Sequence, residues 1–289
     1  MKILLFGKNG QLGWELERTL APLGDITPLD YAELDLQDFD AVRRTVQELR
    51  PGLIVNASAY TNVDKAESEL DKAYDINGKV PGILAEEAAS LNAAIIHYST
   101  DYVFDGKQAQ PYRETDSPNP LNVYAGSKFA GEKAIQAVGG AYLILRTAWV
   151  YSLRGSAFVS KVLQWSRQNE TLRVVDDQVS NPTWARMLAE VTSQLLAKGS
   201  NVVRERSGLY HLAGSGYASR FEWAKEILRL DPKPSEQTVK QLLPAATSDF
   251  PSPADRPLFS ALDCSHFEDT FNLCMPDWRT ALKLAMSIN

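Results

Sequence analysis

The strongest constraint on the fold lies in the first twenty residues, where an apolar run, a glycine-rich turn and a helical pattern follow one another. Residues 2–6 read Lys-Ile-Leu-Leu-Phe, a short β pattern, and residues 14–20 are helical in composition. Between them stand Gly7, Gly10 and Gly13, spaced G-x-x-G-x-x-G. Glycines at such a turn let the backbone approach a diphosphate, whose charge the helix N-terminus stabilises. The turn predicts a dinucleotide site, and a glycine turn without a ligand is the alternative.

The rest of the first half alternates strands with helices. Apolar runs predict further strands at residues 25–29, 33–36, 53–55, 94–98 and 142–146. Helical patterns cover residues 39–49, residues 64–91 with a break near Asn77 and Pro81, and the segment from the N-cap Asn122 to residue 138. This alternation predicts an α/β fold, a Rossmann-type doubly wound parallel sheet. We expect residues 1–150 to form an NAD(P)-binding domain.

The alternation of strands and helices becomes less regular beyond residue 150. Helices are predicted at residues 157–167, 184–196, 219–230 and 278–286, and strands at residues 171–175 and 208–212. Six of the 15 prolines lie in residues 231–257, which are predicted to be extended or loop. We expect residues 151–289 to form mainly a smaller substrate-binding lobe, with some of these strands and helices rejoining the first domain.

Candidate ligand-binding residues fall where predicted strands end. Gly7, Asp30, Asn56, Thr100 and Trp149 each lie at or just beyond the carboxyl end of one strand. In a parallel sheet these ends meet at one edge, and ligands bind beyond that edge. The convergence predicts a single site there.

Asp30 lies 20 residues beyond Gly10, where an acidic residue accepts hydrogen bonds from the adenosine ribose of a dinucleotide. Its carboxylate repels a 2′-phosphate, and no Arg or Lys follows until Arg43. NADH is therefore expected to fit better than NADPH, with use of both left open. Asp35 and Leu36 are expected beside the adenine, and a polar turn after the strand is the alternative.

Tyr124 and Lys128 are candidates for acid–base chemistry. They stand four residues apart on one predicted helix and so share a face. An ammonium ~4 Å from the phenol would favour the phenolate by ~4 kcal/mol, roughly three pKa units from an ordinary value near 10. That shift would bring Tyr124 close to the range useful for a general acid or base. A surface Tyr beside a solvated Lys is the alternative.

The composition limits the classes of partner that the protein can bind. A net charge of -6 argues against nucleic acid or an anionic membrane as the main partner, and no apolar run approaches the ~20 residues of a membrane span. The three histidines are scattered, and Cys264 and Cys274 are the only cysteines, so no metal site is predicted. The default expectation is a cytoplasmic protein.

The glycine turn, Ser99-Thr100 and Tyr124-x-x-x-Lys128 together resemble the short-chain dehydrogenase/reductase superfamily, in its extended form with a substrate-binding C-terminal lobe. Further blocks resemble its dTDP-4-dehydrorhamnose reductase family, and the resemblance covers nearly the whole chain. The blocks are residues 7–13, 63–67, 99–104, 120–124, 146–151, 177–178, 182–183, 208–212 and 256–257. The run Ser-Thr-Asp-Tyr-Val-Phe at residues 99–104 is more specific than the Tyr/Lys pair.

The resemblance implies that NADH or NADPH reduces the C4 ketone of a dTDP-linked 4-keto-6-deoxy sugar, giving dTDP-L-rhamnose. Tyr124 would donate a proton to the carbonyl oxygen, Lys128 would bind the nicotinamide ribose and keep Tyr124 acidic, and Thr100 would polarise the carbonyl. The implied cofactor-binding residues are Gly7, Asn9, Gly10, Gln11, Leu12, Gly13, Asp30, Asp35, Leu36, Ala59, Tyr60, Thr61, Tyr124 and Lys128. The implied substrate-binding residues are Thr100, Asp101, Val103, Phe104, Trp149 and Arg256.

Arg256 is assigned to the pyrophosphate of the nucleotide, with an exposed loop Arg as the alternative, and a core aromatic is the alternative for Trp149. A homodimer is expected from the family. The choice of thymine over uracil follows from the resemblance alone.

The same residues allow three alternative activities to be compared with reduction. Related 4,6-dehydratases carry Asp and Glu directly after the Thr, whereas Asp101 is followed here by Tyr102, so elimination lacks its base. An epimerase would use the same Tyr and Lys with a tightly held cofactor. A non-catalytic regulatory subunit is the third alternative, because the beta subunit of methionine adenosyltransferase resembles the same family. The intact set of Thr100, Tyr124 and Lys128 favours the reductase.

Overall fold

The computed structural model describes residues 1–155, 157–199 and 201–287. Its strands are β1 (Lys2–Phe6), β2 (Asp25–Leu29), β3 (Leu53–Asn56), β4 (Ala94–Thr100), β5 (Ala141–Thr147), β6 (Val150–Tyr151), β7 (Thr171–Val175), β8 (Val179–Ser180), β9 (Thr183–Trp184), β10 (Gly208–His211), β11 (Ala218–Ser219) and β12 (Gln241–Ala245). Its helices are α1 (Gln11–Leu20), α2 (Phe39–Leu49), α3 (Val63–Ala66), α4 (Leu70–Tyr74), α5 (Val80–Ser90), α6 (Val123–Val138), α7 (Phe158–Gln168), α8 (Ala185–Ala197), α9 (Val202–Glu205), α10 (Arg220–Arg229), α11 (Ser265–Phe271) and α12 (Trp278–Met286).

The main sheet has six parallel strands in the order β2-β1-β3-β4-β5-β10. Successive side chains of β1 point to opposite faces, so Leu5 packs in one core and Phe6 in another. Helices α1 and α8 cover the first face, while α2, α5 and α6 cover the second. Because apolar strands need both faces covered, this is the doubly wound arrangement that the sequence predicts, and the predicted fold class is confirmed.

The strand order reverses at β1, which has β2 on one side and β3 on the other. A crevice opens at such a reversal, beyond the carboxyl ends of the strands. Gly7 follows β1, Asp30 follows β2, and β3 ends at Asn56. The topology therefore brings the predicted ligand-binding residues to one edge.

The second half of the chain contributes to both parts of the molecule. β10 pairs with β5, where Tyr210 lies opposite Leu145, and α8 packs on α1. Most of the remaining elements surround a separate apolar core, in which Trp223 and Trp278 are almost completely buried. Small two-stranded sheets complete this lobe: β7 with β12, β8 with β11, and β6 with β9.

One local prediction is wrong, and the structure adds detail to two others. The strand predicted at residues 33–36 is wrong, because Asp35 accepts a hydrogen bond from the backbone of Gln37 and holds a turn there (2.9 Å). The helix predicted over residues 64–91 is divided into α3, α4 and α5, and a π-helical turn at Asp75–Lys79 lies where a break near Asn77 was predicted. The proline-rich segment, predicted to be extended or loop, contains the extended strand β12, which pairs in parallel with β7.

Candidate active site

A cavity of about 780 Å³ lies beyond the carboxyl ends of the main sheet. It is bounded on one side by the glycine turn after β1 and on the other by β4, α6 and the start of the C-terminal lobe. The predicted site residues on its wall are Gly7, Asn9, Gly10, Gln11, Leu12, Asp30, Ala59, Thr61, Thr100, Asp101, Tyr124, Lys128 and Trp149. The structure thus brings most of them to one place.

The glycine turn leaves room that any side chain would fill. Gly7 has a φ of +86°, and a Cβ there would lie 2.8 Å from the backbone nitrogen of Ser58. Gly10 caps α1 without a side-chain hydrogen bond, so the first N–H groups of the helix stay available to an anion. A Cβ on Gly13 would lie 1.9 Å from the carbonyl oxygen of Gly7, so Gly13 allows helix and turn to pack together. These features fit the diphosphate of a dinucleotide.

Asp30 connects this turn to a second, smaller cavity of about 140 Å³. Its carboxylate accepts hydrogen bonds from the backbone N–H groups of Asn9 and Tyr31, both at 2.8 Å. Asp35 and Leu36 line the same small cavity, which has the size and position for an adenine ring. Asp30 therefore lies between the two cavities, where an adenosine ribose would fall.

Tyr60 is the predicted cofactor residue whose side chain is directed elsewhere. Its hydroxyl donates to Glu69 (2.8 Å), and its backbone is held at both ends by the side chain of Asn77. Any contact of Tyr60 with a cofactor would therefore be made by the backbone rather than the phenol.

Tyr124 lies in the first turn of α6. Asn122 caps this helix by accepting from the backbone N–H of Ala125 (2.8 Å), as the sequence predicts. Burial raises the pKa of the Tyr124 phenol, and the adjacent Thr100 hydroxyl only partly opposes that rise. The phenol is therefore protonated at neutral pH. The ring of Tyr102 lies edge-on to it, with centroids 6.1 Å apart.

Lys128 is also buried, but its ammonium group is directed to β4. The Nζ atom donates to the carbonyl oxygen of Tyr98 at 2.6 Å and lies 3.2 Å from Nε2 of His97. Burial lowers the pKa of Lys128 to about 8, with Glu132 opposing this effect. The expected low pKa of Tyr124 is therefore wrong for the free protein, because burial raises the pKa of the phenol above its ordinary value.

Thr100 and Asp101 connect the sheet to the C-terminal lobe. The Thr100 hydroxyl donates to Asp101 at 3.2 Å, and the other carboxylate oxygen of Asp101 accepts from Ser180 (2.9 Å) and Ser260 (2.5 Å). Burial raises the pKa of Asp101 to about 6, and these hydroxyl donors oppose the rise. Asp101 holds Thr100 against the lobe as well as lining the cavity.

Val103 and Phe104 lie in the core instead of on the cavity wall. Both are fully buried, and they pack with Tyr112, Ala148 and Leu262. Phe104 stacks on Tyr112, with ring centroids 4.2 Å apart. This corrects the expectation that the two side chains line a sugar pocket, because the polypeptide that covers them comes from distant parts of the chain.

Trp149 lines the cavity in a constrained conformation. Its φ is +38°, a region that few residues other than glycine adopt. The indole stacks on Trp223 (centroids 5.6 Å apart), and the guanidinium of Arg220 lies 3.6 Å from its ring centroid. Arg220 was not among the sequence-predicted residues. The sequence did contain a sign of its role. Arg220 is the first residue of α10, where the helix dipole disfavours a cation unless another group binds it.

Arg256 lies on the same side of the molecule. It pairs with Asp64 at 2.8 Å and also donates to Ser252 (2.6 Å). Arg220 and Arg256 both lie near Tyr102, where they oppose the rise of its pKa that burial causes. Two cations of the C-terminal lobe therefore lie near one residue of the cavity wall.

Arg154 is a second residue that sequence reasoning missed. It lines the cavity, and its guanidinium lies 3.8 Å from the ring centroid of Trp14 on α1. The neighbouring Ser152 donates its backbone N–H to the side chain of Gln11 (2.7 Å). This loop is thereby tied to the start of α1.

Within residues 1–155, 157–199 and 201–287, no group of three or more His, Cys, Asp or Glu side chains is placed to hold a metal ion. None of the helices in these ranges is long and apolar enough to span a membrane.

Known proteins are similar to this chain in sequence and in fold along nearly their whole length. A family model described as "RmlD substrate binding domain" matches residues 1–288. A dTDP-4-dehydrorhamnose reductase of Burkholderia thailandensis is 41% identical over 295 residues, covering 99% of this chain and 98% of that protein. The one of Escherichia coli K12 is 42% identical over 288 residues, covering 98% and 96%. The crystal structure of a Bacillus anthracis dTDP-4-dehydrorhamnose reductase in complex with NADP has a TM-score of 0.91 at 34% identity, covering 100% of this chain and 99% of that one.

Proposed function

This chain belongs to the dTDP-4-dehydrorhamnose reductase family, and we propose that Thr100, Tyr124 and Lys128 carry out its reaction. The chain is an NAD(P)H-dependent oxidoreductase that catalyses the final step of dTDP-rhamnose synthesis. The substrate is a dTDP-linked sugar, dTDP-4-dehydro-L-rhamnose, whose C4 ketone becomes a hydroxyl. The observation that carries the assignment of roles is that these three side chains line one cavity together with the glycine turn.

Tyr124 is the proton donor. Its phenol stays protonated at neutral pH because burial raises its pKa, so the proton is available when the carbonyl oxygen gains negative charge. The Thr100 hydroxyl hydrogen-bonds the same oxygen and stabilises that charge. When bound, NAD(P)H supplies the hydride for carbon 4.

Lys128 binds the nicotinamide ribose and, as an ammonium, stabilises the Tyr124 phenolate that remains after proton transfer. Its amine lies on the cavity wall one helical turn from Tyr124, and the carbonyl of Tyr98 fixes its position. Its pKa of about 8 leaves it mostly protonated at neutral pH.

NADH is used in preference to NADPH. Asp30 stands where the adenosine ribose would bind, and Glu33 accepts a hydrogen bond from its backbone at 3.0 Å. Two carboxylates near that ribose repel a 2′-phosphate, although Lys8, paired with Glu33 at 2.7 Å, offsets part of the repulsion. Comparing kcat/KM for the two cofactors tests this preference, and a higher value with NADPH would contradict it.

Arg154 contacts the cofactor diphosphate in this proposal. Stacking on Trp14 holds its guanidinium beside the glycine turn without using its N–H donors. We expect Arg154→Ala to raise the KM for NADH about tenfold with little change in kcat, because one charge-assisted contact is lost. An unchanged KM would remove Arg154 from the site.

Arg220 and Arg256 bind the diphosphate of the dTDP-sugar. Both guanidiniums lie near Tyr102, which lines the cavity, and Arg side chains suit phosphate oxygens. Trp149, beneath Arg220, forms part of the sugar pocket.

Residues 151–287 thus act mainly as the substrate lobe, with β10 and α8 joined to the cofactor domain. The family's homodimer stays a prediction that sedimentation checks.

Reduction fits this site better than dehydration. A dehydratase needs a carboxylate base after the Asp, but residue 102 is a Tyr whose pKa is raised by burial. A phenol that stays protonated cannot remove a proton from carbon 5.

The test is cofactor oxidation by the purified protein with a panel of 4-keto sugar nucleotides carrying thymine or uracil. We expect NADH consumption only with the dTDP-4-keto-6-deoxy sugar. Tyr124→Phe should abolish turnover but still bind cofactor, whereas the control Tyr217→Phe, at an exposed position outside both cavities, should behave as wild type. Full turnover in Tyr124→Phe would refute the mechanism.

The same assay separates the two alternative functions. An epimerase would keep its cofactor through gel filtration and show no net NADH consumption. A regulatory subunit would bind cofactor, respond to no sugar nucleotide and copurify with an adenosyltransferase. The reductase predicts neither result.

A further inference from the structure

A buried chain of hydrogen bonds runs from the cavity wall to Lys128 through a histidine that the proposed reaction does not use. Ser58 is linked to Asn56, Asn56 to His97, and His97 to Lys128. His97 is completely buried and Asn56 is 1% exposed, so water does not satisfy these groups. The direction of each hydrogen bond in the chain is therefore fixed by its neighbours.

The backbone determines which way Asn56 faces. The N–H of Ser58 is a fixed donor, and it points to Oδ1 of Asn56 at 3.1 Å. Reversing the amide would place an NH2 group against that N–H, so Oδ1 stays on this side. The hydroxyl of Ser58 donates to the same oxygen at 2.6 Å.

The amide in turn determines the tautomer of His97. Nδ2 of Asn56 lies 3.1 Å from Nδ1 of the imidazole and can only donate. Nδ1 must therefore accept, and the proton of a neutral imidazole is on Nε2. The imidazole is neutral because burial, and then the charge of Lys128, lower its pKa well below the ordinary value.

The Nε2–H of His97 faces Nζ of Lys128 at 3.2 Å. An unprotonated amine has a lone pair that accepts this hydrogen bond while its own N–H groups donate to the carbonyl of Tyr98. An ammonium has no lone pair, so two donors would face each other. The chain is completely satisfied only by the amine.

The other charges near Lys128 do not reverse this preference. Glu132, on the same helix, is the only charge that raises its pKa, and it is already paired with Arg146 at 2.7 Å. Asp101 and Tyr102, on the turn after β4, act on Tyr124 and not on Lys128. Within the described residues, α3, α4 and α5, which pack around α6, contribute no charge to the pKa of Lys128 or His97.

We propose that His97 is a positioning residue: with its tautomer fixed by Asn56, it presents an N–H to Lys128 and makes the ammonium of Lys128 release its proton more readily. The functional part of this inference rests on the proposed role of Lys128 in the reaction. One proton is consumed for each ketone reduced, since Tyr124 gives its proton to the product oxygen and must recover it from water. An ammonium that releases its proton readily can pass that proton to the new phenolate and regain one from water.

The tautomer is measured directly by NMR of the full-length free protein with ¹⁵N-labelled histidine. The chain has only three histidines, and His97→Gln identifies the signals of residue 97. We expect a neutral ring with the proton on Nε2 at every pH where the protein is folded and active. A proton on Nδ1, or an imidazolium, overturns the proposal. This measurement needs no substrate, so it holds or fails independently of the proposed function.

Asn56→Asp tests the consequence for Lys128. The carboxylate still accepts from Ser58 but now also accepts from Nδ1–H of His97, which leaves Nε2 free to accept from the ammonium. We expect the alkaline limb of the pH profile of kcat/KM to move up by about one pH unit, a tenfold gain in the proton affinity of Lys128. An unmoved limb in a folded variant overturns the proposal.

His97→Gln is the matched control. Its amide can accept from Asn56 and donate to Lys128 in the same directions as the imidazole, so we expect its alkaline limb to coincide with that of the wild type. A limb that moves equally in both variants would mean that any change here perturbs Lys128, which contradicts a directional role. If Asn56→Asp does not fold, the NMR measurement on the wild type still decides the tautomer.

Discussion

Lys128 and Glu132 are buried charged residues one turn apart on α6, yet they have opposite surroundings. Glu132 receives two hydrogen bonds from the guanidinium of Arg146, at 2.9 and 2.7 Å, and a third from Ser99. Within the described residues Lys128 has no carboxylate partner, and its contacts are the carbonyl of Tyr98 and the ring of His97. The same helix therefore carries a neutralised charge and an isolated one.

The difference separates a structural charge from a functional one. A buried ion pair with complete hydrogen bonding is costly to break, because the remaining charge has no partner. A buried charge without a counter-ion is itself the costly group, and it persists where a reaction uses it. The paired charge should matter for folding and the isolated one for catalysis.

The largest effect should come from removing the isolated charge. We expect Lys128→Met to lower kcat/KM about 10³- to 10⁴-fold, because the phenolate of Tyr124 loses its stabilising cation. Lys133→Met, on the exposed side of the same helix, is the control and should retain wild-type kinetics. Steady-state rates with the dTDP-sugar measure both, and similar activities for the two variants would contradict the distinction.

Removing the paired charge should instead unfold the protein more easily. Glu132→Gln leaves Arg146 buried without a counter-charge, at a cost of about 3–5 kcal/mol in the free energy of unfolding. Glu190→Gln breaks the exposed pair with Arg186 (2.7 Å) and should cost less than about 1 kcal/mol. Urea unfolding measures both values. Equal losses of stability in the two variants would show that burial does not make the ion pair more important for folding.

Lys128→Met should also stabilise the protein while it inactivates it. The pKa of Lys128 falls from 10.5 to about 8 on folding, so the folded state holds this proton less strongly than the unfolded chain. The resulting penalty, about 3 kcal/mol, applies below pH 8 and disappears as the pH rises towards 10.5. We therefore expect the Met variant to gain stability at pH 7 and to lose that advantage in alkali. A variant less stable than wild type at pH 7 would contradict it.

The smallest effect is the pH dependence of the wild type. We expect kcat/KM to fall above about pH 8 as Lys128 loses its proton, by at most tenfold for each further pH unit. Tyr124 should add no limb near neutrality, because burial raises its pKa. A decline that begins below pH 7 would show that another group limits the reaction.

The sequence was sufficient where the determining interactions are local. The cap at Asn122 and the four-residue spacing of Tyr124 and Lys128 depend on adjacent residues, and the structure places both side chains on one cavity wall. The alternation of strands and helices likewise predicted the doubly wound sheet. Each of these features follows from patterns shorter than about twenty residues.

The sequence failed where a distant segment decides the outcome. The amine of Lys128 is directed by a carbonyl and an imidazole that lie 30 and 31 residues earlier in the chain. Val103 and Phe104 are covered by residues such as Leu262, whose position no local pattern reveals. Arg220 shows the intermediate case, because its unfavourable place at a helix N-terminus was a local sign of a distant partner.

The place of β10 at the edge of the main sheet affects how the protein can be made. A nascent chain that has emerged only as far as β5 has an unpaired strand edge, and its partner is more than 60 residues further along. Until Tyr210 and its neighbours arrive, that edge can pair with another chain, and the face that α8 later covers is open to solvent. Synthesis of the cofactor domain is therefore not complete until the ribosome has passed most of the substrate lobe.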